Sequence, residues 1–197
     1  MSVDQAARLR DSVRKAYSAA SDAPTAKHAF PVGRILAERL GYPPDILDTL
    51  PRVSLEAFAG VSNVSLFAEI PAGAVVLDLG CGAGVDSLIA AQRVGPGGRV
   101  IGIDFSDSML ARARQGAAER GATVTFSRGD AERLPLDEGS VDVALVNGIF
   151  NLNPARAEMF RELARVVRPD GSVYAAELIL PEAVPSAGEF DEAAWFA

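Results

Sequence analysis

The amino-acid sequence predicts an α/β fold, in which a parallel sheet carries helices on both faces and a helical N-terminal extension precedes it. Three observations carry this. From Gly73 onward, short runs rich in Val, Leu and Ile alternate with segments of helical period, and such alternation builds right-handed βαβ units. A glycine loop, Gly80-Cys81-Gly82-Ala83-Gly84, follows the first run and opens the first helix. An acid, Asp104, ends the second run roughly 20 residues after the loop, where a Rossmann-like fold places a ribose-binding carboxylate.

The elements follow in order. Residues 4–20 read as an amphipathic helix with Asp4 as N-cap and Leu9, Val13, Ala16, Tyr17 and Ala20 on one face. Residues 32–40 and 44–50 read as short helices separated by Gly41-Tyr42-Pro43-Pro44, and residues 51–72 as irregular chain with turns at Pro51 and Pro71. Residues 75–79 form the first strand, an apolar run suited to a buried parallel position. A helix over 85–94, a turn at Gly95-Pro96-Gly97-Gly98 and a strand over 99–103 follow. Next come a helix over 106–120 capped by Ser106, strands over 123–127 and 141–146, a helix over 154–167 and a fifth strand over 172–180. Three regions result: a helical extension (residues 1–70), a ligand-binding core (71–182) and a tail (183–197).

Composition narrows the function classes. The chain of 197 residues carries 19 basic and 26 acidic side chains, a formal charge of −7, with the arginines dispersed. A nucleic-acid binder carries a basic face instead, so no nucleic-acid partner is expected. One cysteine (Cys81) and one histidine (His28) leave no disulfide framework and no clustered metal site. No apolar run approaches the ~18 residues of a membrane span, and the start lacks a signal-peptide layout, so the expectation is a cytoplasmic protein with no membrane partner.

The chemistry gathers at the strand ends. Glycines let the backbone turn sharply and let a ligand approach it, and the following helix N-terminus offers free N–H groups and partial positive charge. The spacing is G-x-G-x-G, not the dinucleotide G-x-G-x-x-G. Asp78, two residues before Gly80, disfavours a pyrophosphate and suits an ammonium group, so a zwitterionic amino-acid tail fits both features. A tight turn without ligand is the alternative. Asp104 suits two ribose hydroxyls, or is an ordinary acid before a helix. Phe105 and Met109 flank an adenine, or are a helix-start residue and a core residue. In Gly129-Asp130-Ala131-Glu132 a side-chain oxygen is placed to accept from an adenine amino group, or the acid belongs to a turn. Asn147 ends the fourth strand. All these features sit at the carboxyl edge of the sheet, where open α/β sheets bind ligands.

In order, VVLDLGCGAG, VIGID, FSRGDAERLP, VDVALVNGIFNL and RELARVVRPDGSV resemble the class I S-adenosylmethionine methyltransferases. The resemblance covers roughly residues 70–182 and implies that family's Rossmann-like sheet and S-adenosylmethionine as cofactor. GAGVDSLIAAQRVGPGGRVIGIDFSDSMLARAR and NGIFNLNPARAEMFREL are similar to the arsenite methyltransferase branch, as are LGYPPDILDTLP and GVSNVSLFAEIPAG upstream. The sequence departs from that branch at its thiols. The cysteine of the family's G-C-G-N-P aligns with Val61, and that of N-C-V-x-N-L with Gly148. Soft trivalent arsenic is held by thiolates, so Cys81 alone cannot build its site.

The expected function is therefore S-adenosylmethionine-dependent methylation of a small molecule other than arsenite. The candidate cofactor residues are Asp78, Gly80, Cys81, Gly82, Gly84, Asp104, Phe105, Met109, Asp130, Ala131 and Asn147. No catalytic base is assigned, and His28 reads as a surface residue. A cofactor-binding protein without catalysis is the alternative, and an NAD-linked oxidoreductase ranks behind both. The full class I sheet adds an antiparallel pair after strand five. The seventeen residues after 180 cannot supply both strands, so those strands are expected to be missing and strand five to be an edge. Two copies pairing along that edge would bury Tyr174, Leu178, Trp195 and Phe196.

Overall fold

The computed structural model describes residues 3–179. Helix α1 (Val3–Asp22) buries Leu9, Val13 and Ala20, the stripe that an amphipathic helix turns to a core. Asp4 lies inside its first turn rather than at the cap, where a carboxylate still complements the helix dipole. Ser18 Oγ meets Ser106 Oγ at 3.0 Å, and Arg112 Nε donates to the Ser21 carbonyl at 2.6 Å. These contacts fasten α1 to the later part of the chain.

Four short helices follow: α2 (Arg34–Arg39), α3 (Pro44–Asp48), α4 (Arg52–Glu56) and α5 (Val64–Phe67). The last two correct the reading of residues 51–72 as turns. Pro51 caps α4 in an extended conformation (ψ 136°), so the expected turn residue starts a helix. A helix of four or five residues is too short to show a period.

The sheet has the order β3-β2-β1-β4-β5, with every neighbouring pair parallel. Its strands are β1 (Val75–Leu79), β2 (Arg99–Asp104), β3 (Val124–Arg128), β4 (Val141–Asn147) and β5 (Val167–Ala176), connected by α6 (Val85–Val94), α7 (Asp107–Arg120) and α8 (Arg156–Val166). Central β1 is packed on both faces. Leu77 and Leu79 meet Met159 and Leu163 of α8, while Val76 meets Ala90 and Val94 of α6. Each of these Leu, Val and Met side chains contributes roughly 1.5–3 kcal/mol by leaving water. Leu47, Leu55 and Phe58 of the N-terminal segment share a cluster with Leu88 and Leu110, so that segment and the sheet-covering helices close one core. Ser106 caps α7 by accepting from Met109 N, and Gly121 ends it in the left-handed region.

The fifth strand differs from expectation. It starts at Val167, directly after α8, and ends at Ala176. Proline is disfavoured inside a strand; here a register irregularity between Val141 and Val143 and a positive φ of 64° at Asp170 accommodate Pro169. At the other end, Glu177 turns its carboxylate to Asn151 N (3.0 Å) and Leu178 N (3.1 Å), which stops the ladder. Leu180, Trp195 and Phe196 lie outside the described residues. Among the described residues, β5 is an edge strand, and no helix is long and apolar enough to cross a membrane.

Candidate functional site

The order of strands reverses between β1 and β4, which opens a crevice at their carboxyl ends. A cavity of about 800 Å³ lies there. Ten of the eleven residues expected to bind the cofactor line it: Asp78, Gly80, Cys81, Gly82, Asp104, Phe105, Met109, Asp130, Ala131 and Asn147.

Gly84 is the exception. It starts α6 with φ 86°, and a Cβ there would come within 3.1 Å of Ala113 Cβ and Phe126 Cζ. Its role is close packing of α6 on α7 and β3. The two glycines before it shape the cavity. Gly80 (φ 75°) would carry a Cβ only 2.5 Å from Ile149 Cγ2, whereas at Gly82 (φ 50°) a Cβ would meet open space. The main-chain N–H groups of Gly80 and Cys81 both donate to the Ile103 carbonyl, at 2.8 and 3.1 Å, which pins the loop to the end of β2.

Asp104 connects the loop to α7. Its Oδ2 accepts from Gly82 N and its Oδ1 from Ser106 N, each at 2.8 Å. Burial pushes this carboxyl above its ordinary range, and the backbone donors at Ser106, Gly82 and Phe105 work against that rise. Asp78 is buried and accepts from Ser87 Oγ. Its carboxyl is raised first by burial and then by the neighbouring Asp86 and Asp104 charges. Two buried carboxylates facing one cavity favour a cationic ligand, because a positive charge offsets both desolvation and mutual repulsion.

The remaining candidates differ in kind. The Cys81 thiol is buried, and burial raises its pKa well above the ordinary value, so it is no nucleophile. Phe105 is half-buried, while Met109 is buried beside Ala57 and Ala83. Asp130 is exposed, accepting from Glu132 N at 3.3 Å. Asn147 ends β4 as expected, but its amide is occupied by the chain itself, with bonds to Val61, Ser62 and Asp86. His28 is half-buried against the Ala23 carbonyl and is not part of this cavity wall.

Several wall residues escaped sequence reasoning. Helix α1 contributes Arg10, Arg14 and Tyr17, and the chain after α4 contributes Phe58, Ala59 and Gly60. Arg10 pairs with Glu132, joining α1 to the loop after β3. The amphipathic stripe of α1 announced a buried face but not what it would face. Asp86 carried one usable signal, an acid in the first turn of the helix after the glycine loop.

The lining fits S-adenosylmethionine: an open glycine cradle for the backbone-facing tail, buried acids for positive charge and hydroxyls, and Phe105 and Met109 for a flat ring. The chain matches the family described as a methyltransferase domain over residues 70–194. It is 36% identical to an arsenite methyltransferase of Halobacterium salinarum over 156 residues, 79% of this chain and 40% of that protein. It is also 36% identical to a demethylmenaquinone methyltransferase of Lactococcus lactis over 110 residues, 55% of this chain and 44% of that one. The crystal structure of an arsenic(III) S-adenosylmethionine methyltransferase from Chlamydomonas reinhardtii superposes with a TM-score of 0.63 at 30% identity, covering 70% of this chain and 50% of that one. The chain thus spans less than half the length of these two curated relatives. It belongs to the class I S-adenosylmethionine-dependent methyltransferases and is related to their arsenite methyltransferase branch.

Proposed function

We propose that this chain forms the cofactor-binding part of a methyltransferase acting on a small organic acceptor rather than on arsenite. The observation that carries the second half is the contact between Val61 and Gly148. A Cβ added at Gly148 would lie 2.8 Å from Val61 Cγ1. The two positions aligned with family thiols are therefore neighbours, and here they hold an isopropyl group and a bare backbone. A thiophilic metalloid finds no ligand in that pair.

S-adenosylmethionine, when bound, supplies a methyl group activated by its sulfonium. The protein's own contribution is placement. Residues 80–82 would hold the cofactor's amino-acid tail, Asp104 its ribose hydroxyls and Asp130 with Ala131 its adenine edge. The cavity walls exclude water and align the acceptor, the main requirement of an in-line displacement. No side chain is assigned as a base.

The test is formation of S-adenosylhomocysteine from S-adenosylmethionine with separate acceptors: arsenite plus thiol, a hydroquinone and a simple phenol. Product is expected with an organic acceptor and none with arsenite above a no-enzyme control. Methylated arsenic would refute the acceptor class, and cofactor binding without turnover across a broad panel would favour a binding role. The same reading sets residues 71–182 as the cofactor unit under a 1–70 extension, in the cytoplasm. It adds a homodimer along β5, where Val173 and Leu178 are exposed. A monomer in light scattering would remove the dimer.

A further inference from the structure

Asn147 stands where a ligand-binding side chain is expected, yet its amide is fully spent on the protein. Oδ1 accepts from Val61 N (2.9 Å) and Ser62 N (3.1 Å). Nδ2 donates to the Ser62 carbonyl (2.7 Å) and to Asp86 Oδ2 (2.9 Å). A primary amide has two lone pairs and two N–H groups, so no capacity is left for a cofactor. Asp86, buried on the first turn of α6, takes the Tyr42 hydroxyl (2.5 Å), the Ser65 hydroxyl and Ser65 N (3.4 Å) on its other oxygen. Tyr42, Ser62 and Ser65 belong to the N-terminal segment; Asp86 and Asn147 belong to the sheet-based core.

Glycines let these backbones meet. A Cβ on Gly60 would lie 2.6 Å from Asn147 Nδ2, and one on Gly148 would strike Val61. The chain held in this way continues into Gly60, Ala59 and Phe58, which line the cavity. Its position in the sheet order is telling. The other cofactor candidates extend from β1 toward β2 and β3, while Asn147 ends β4 on the other side of β1. A wall fixed at β4 therefore bounds the part of the cavity left over for a second reactant.

We propose that Asn147 and Asp86 are positioning residues, which clasp residues 60–62 onto the end of β4 and so fix the wall that the methyl acceptor meets. This rests on the methyltransferase reading above. A half-buried amide and a buried carboxylate that bond each other hold one loop geometry, because releasing the loop strands the buried carboxylate without its donors. Acceptor shape is then set by Phe58, Ala59 and Gly60, which line the same cavity as the glycine loop.

Asn147→Ser removes the four bonds without adding charge. Hydrogen exchange at residues 58–64 is expected to rise by about tenfold or more while α7 and β2 keep their native protection. Affinity for S-adenosylhomocysteine is expected to fall by no more than about fivefold, short of the tenfold that corresponds to about 1.4 kcal/mol. Asn147→Asp sets two carboxylates against each other and is expected to free the loop. Combining it with Asp86→Asn exchanges amide and acid across the same contact and is expected to restore protection, a rescue that general destabilisation does not give. Unchanged loop exchange in Asn147→Ser overturns the proposal, as does a roughly thirtyfold affinity loss with the loop still protected, since the amide is then a ligand. If Asn147→Ser does not fold, equal loop exchange in Asn147→Asp and in the paired exchange overturns it. Failure of the unaltered protein to bind S-adenosylhomocysteine strikes the methyltransferase reading, and the exchange comparison still decides the clasp.

Discussion

Asp104 shows how one side chain can serve two functions. Its two oxygens hold Gly82 N and Ser106 N at 2.8 Å each, so the same carboxylate shapes the glycine loop and caps the approach to α7. Asp104→Ala is expected to weaken S-adenosylmethionine binding by roughly 1–3 kcal/mol, because a charged acceptor is lost and the loop N–H is left without a partner. Unchanged affinity by titration would take Asp104 out of the site. Asp78 gives a pH signature. Its folded pKa lies above the ordinary 3.8 because of burial and the Asp86 charge. The extra proton affinity therefore contributes stability that is complete below 3.8 and is lost as pH rises through the raised value. A cationic cofactor favours the ionised form, so affinity is expected to increase from about pH 5 to about pH 8, and Asp78→Asn is expected to flatten that rise. A flat profile in the unaltered protein would contradict the role. Glycine spacing and strand-end acids were legible at this scale because they act through local backbone geometry. The contacts that Asn147 and Gly84 make within the chain were not legible, since they depend on Val61, Ala113 and Phe126, far away in sequence.

Elements with extensive apolar burial were the legible ones. β1 and α6 fall on the expected residues, Val75–Leu79 and Val85–Val94, because both faces of one and a broad face of the other are apolar. β5 was misplaced at its start, where Pro169 and Asp170 masked pairing that a bulge makes possible. Helix α8 is tied to the loop after β3 by a compact set of bonds. Glu162 accepts from Leu134 N at 2.7 Å and pairs with Arg165, while Arg165 donates to the carbonyls of Leu134 and Leu136. The Arg165 hydrogen bond holds the Glu162 carboxyl down to about 2. With the folded pKa depressed, its contribution is present above the ordinary 4.5 and is lost as pH falls toward 2. Glu162→Gln is expected to lower the melting temperature at neutral pH by a few degrees and to blunt the acid-side decline. An unaltered acid limb would show that this tie does not support the loop carrying Asp130.

At the scale of the whole molecule, the parallel sheet and the edge that carries the cavity follow from alternation and strand-end chemistry alone. The cover over that edge did not, because α1 and residues 57–60 reach it through contacts between distant parts of the chain. Sealing by α1 has a measurable consequence. Arg10→Ala removes the pair with Glu132 at the wall formed by α1 and is expected to speed cofactor release more than it changes the melting temperature, since exposed ion pairs contribute little to stability. Stopped-flow displacement checks this, and an unchanged release rate would mean that α1 does not retain the ligand. Which cofactor the cavity accepts is tested most directly by calorimetric titration of the full chain with S-adenosylmethionine, beside NAD and the Asp104→Ala variant. Saturable one-site binding of S-adenosylmethionine, weakened about fivefold or more by the substitution and absent for NAD, is the predicted result. Binding of NAD in place of S-adenosylmethionine, or no binding of either, would contradict it.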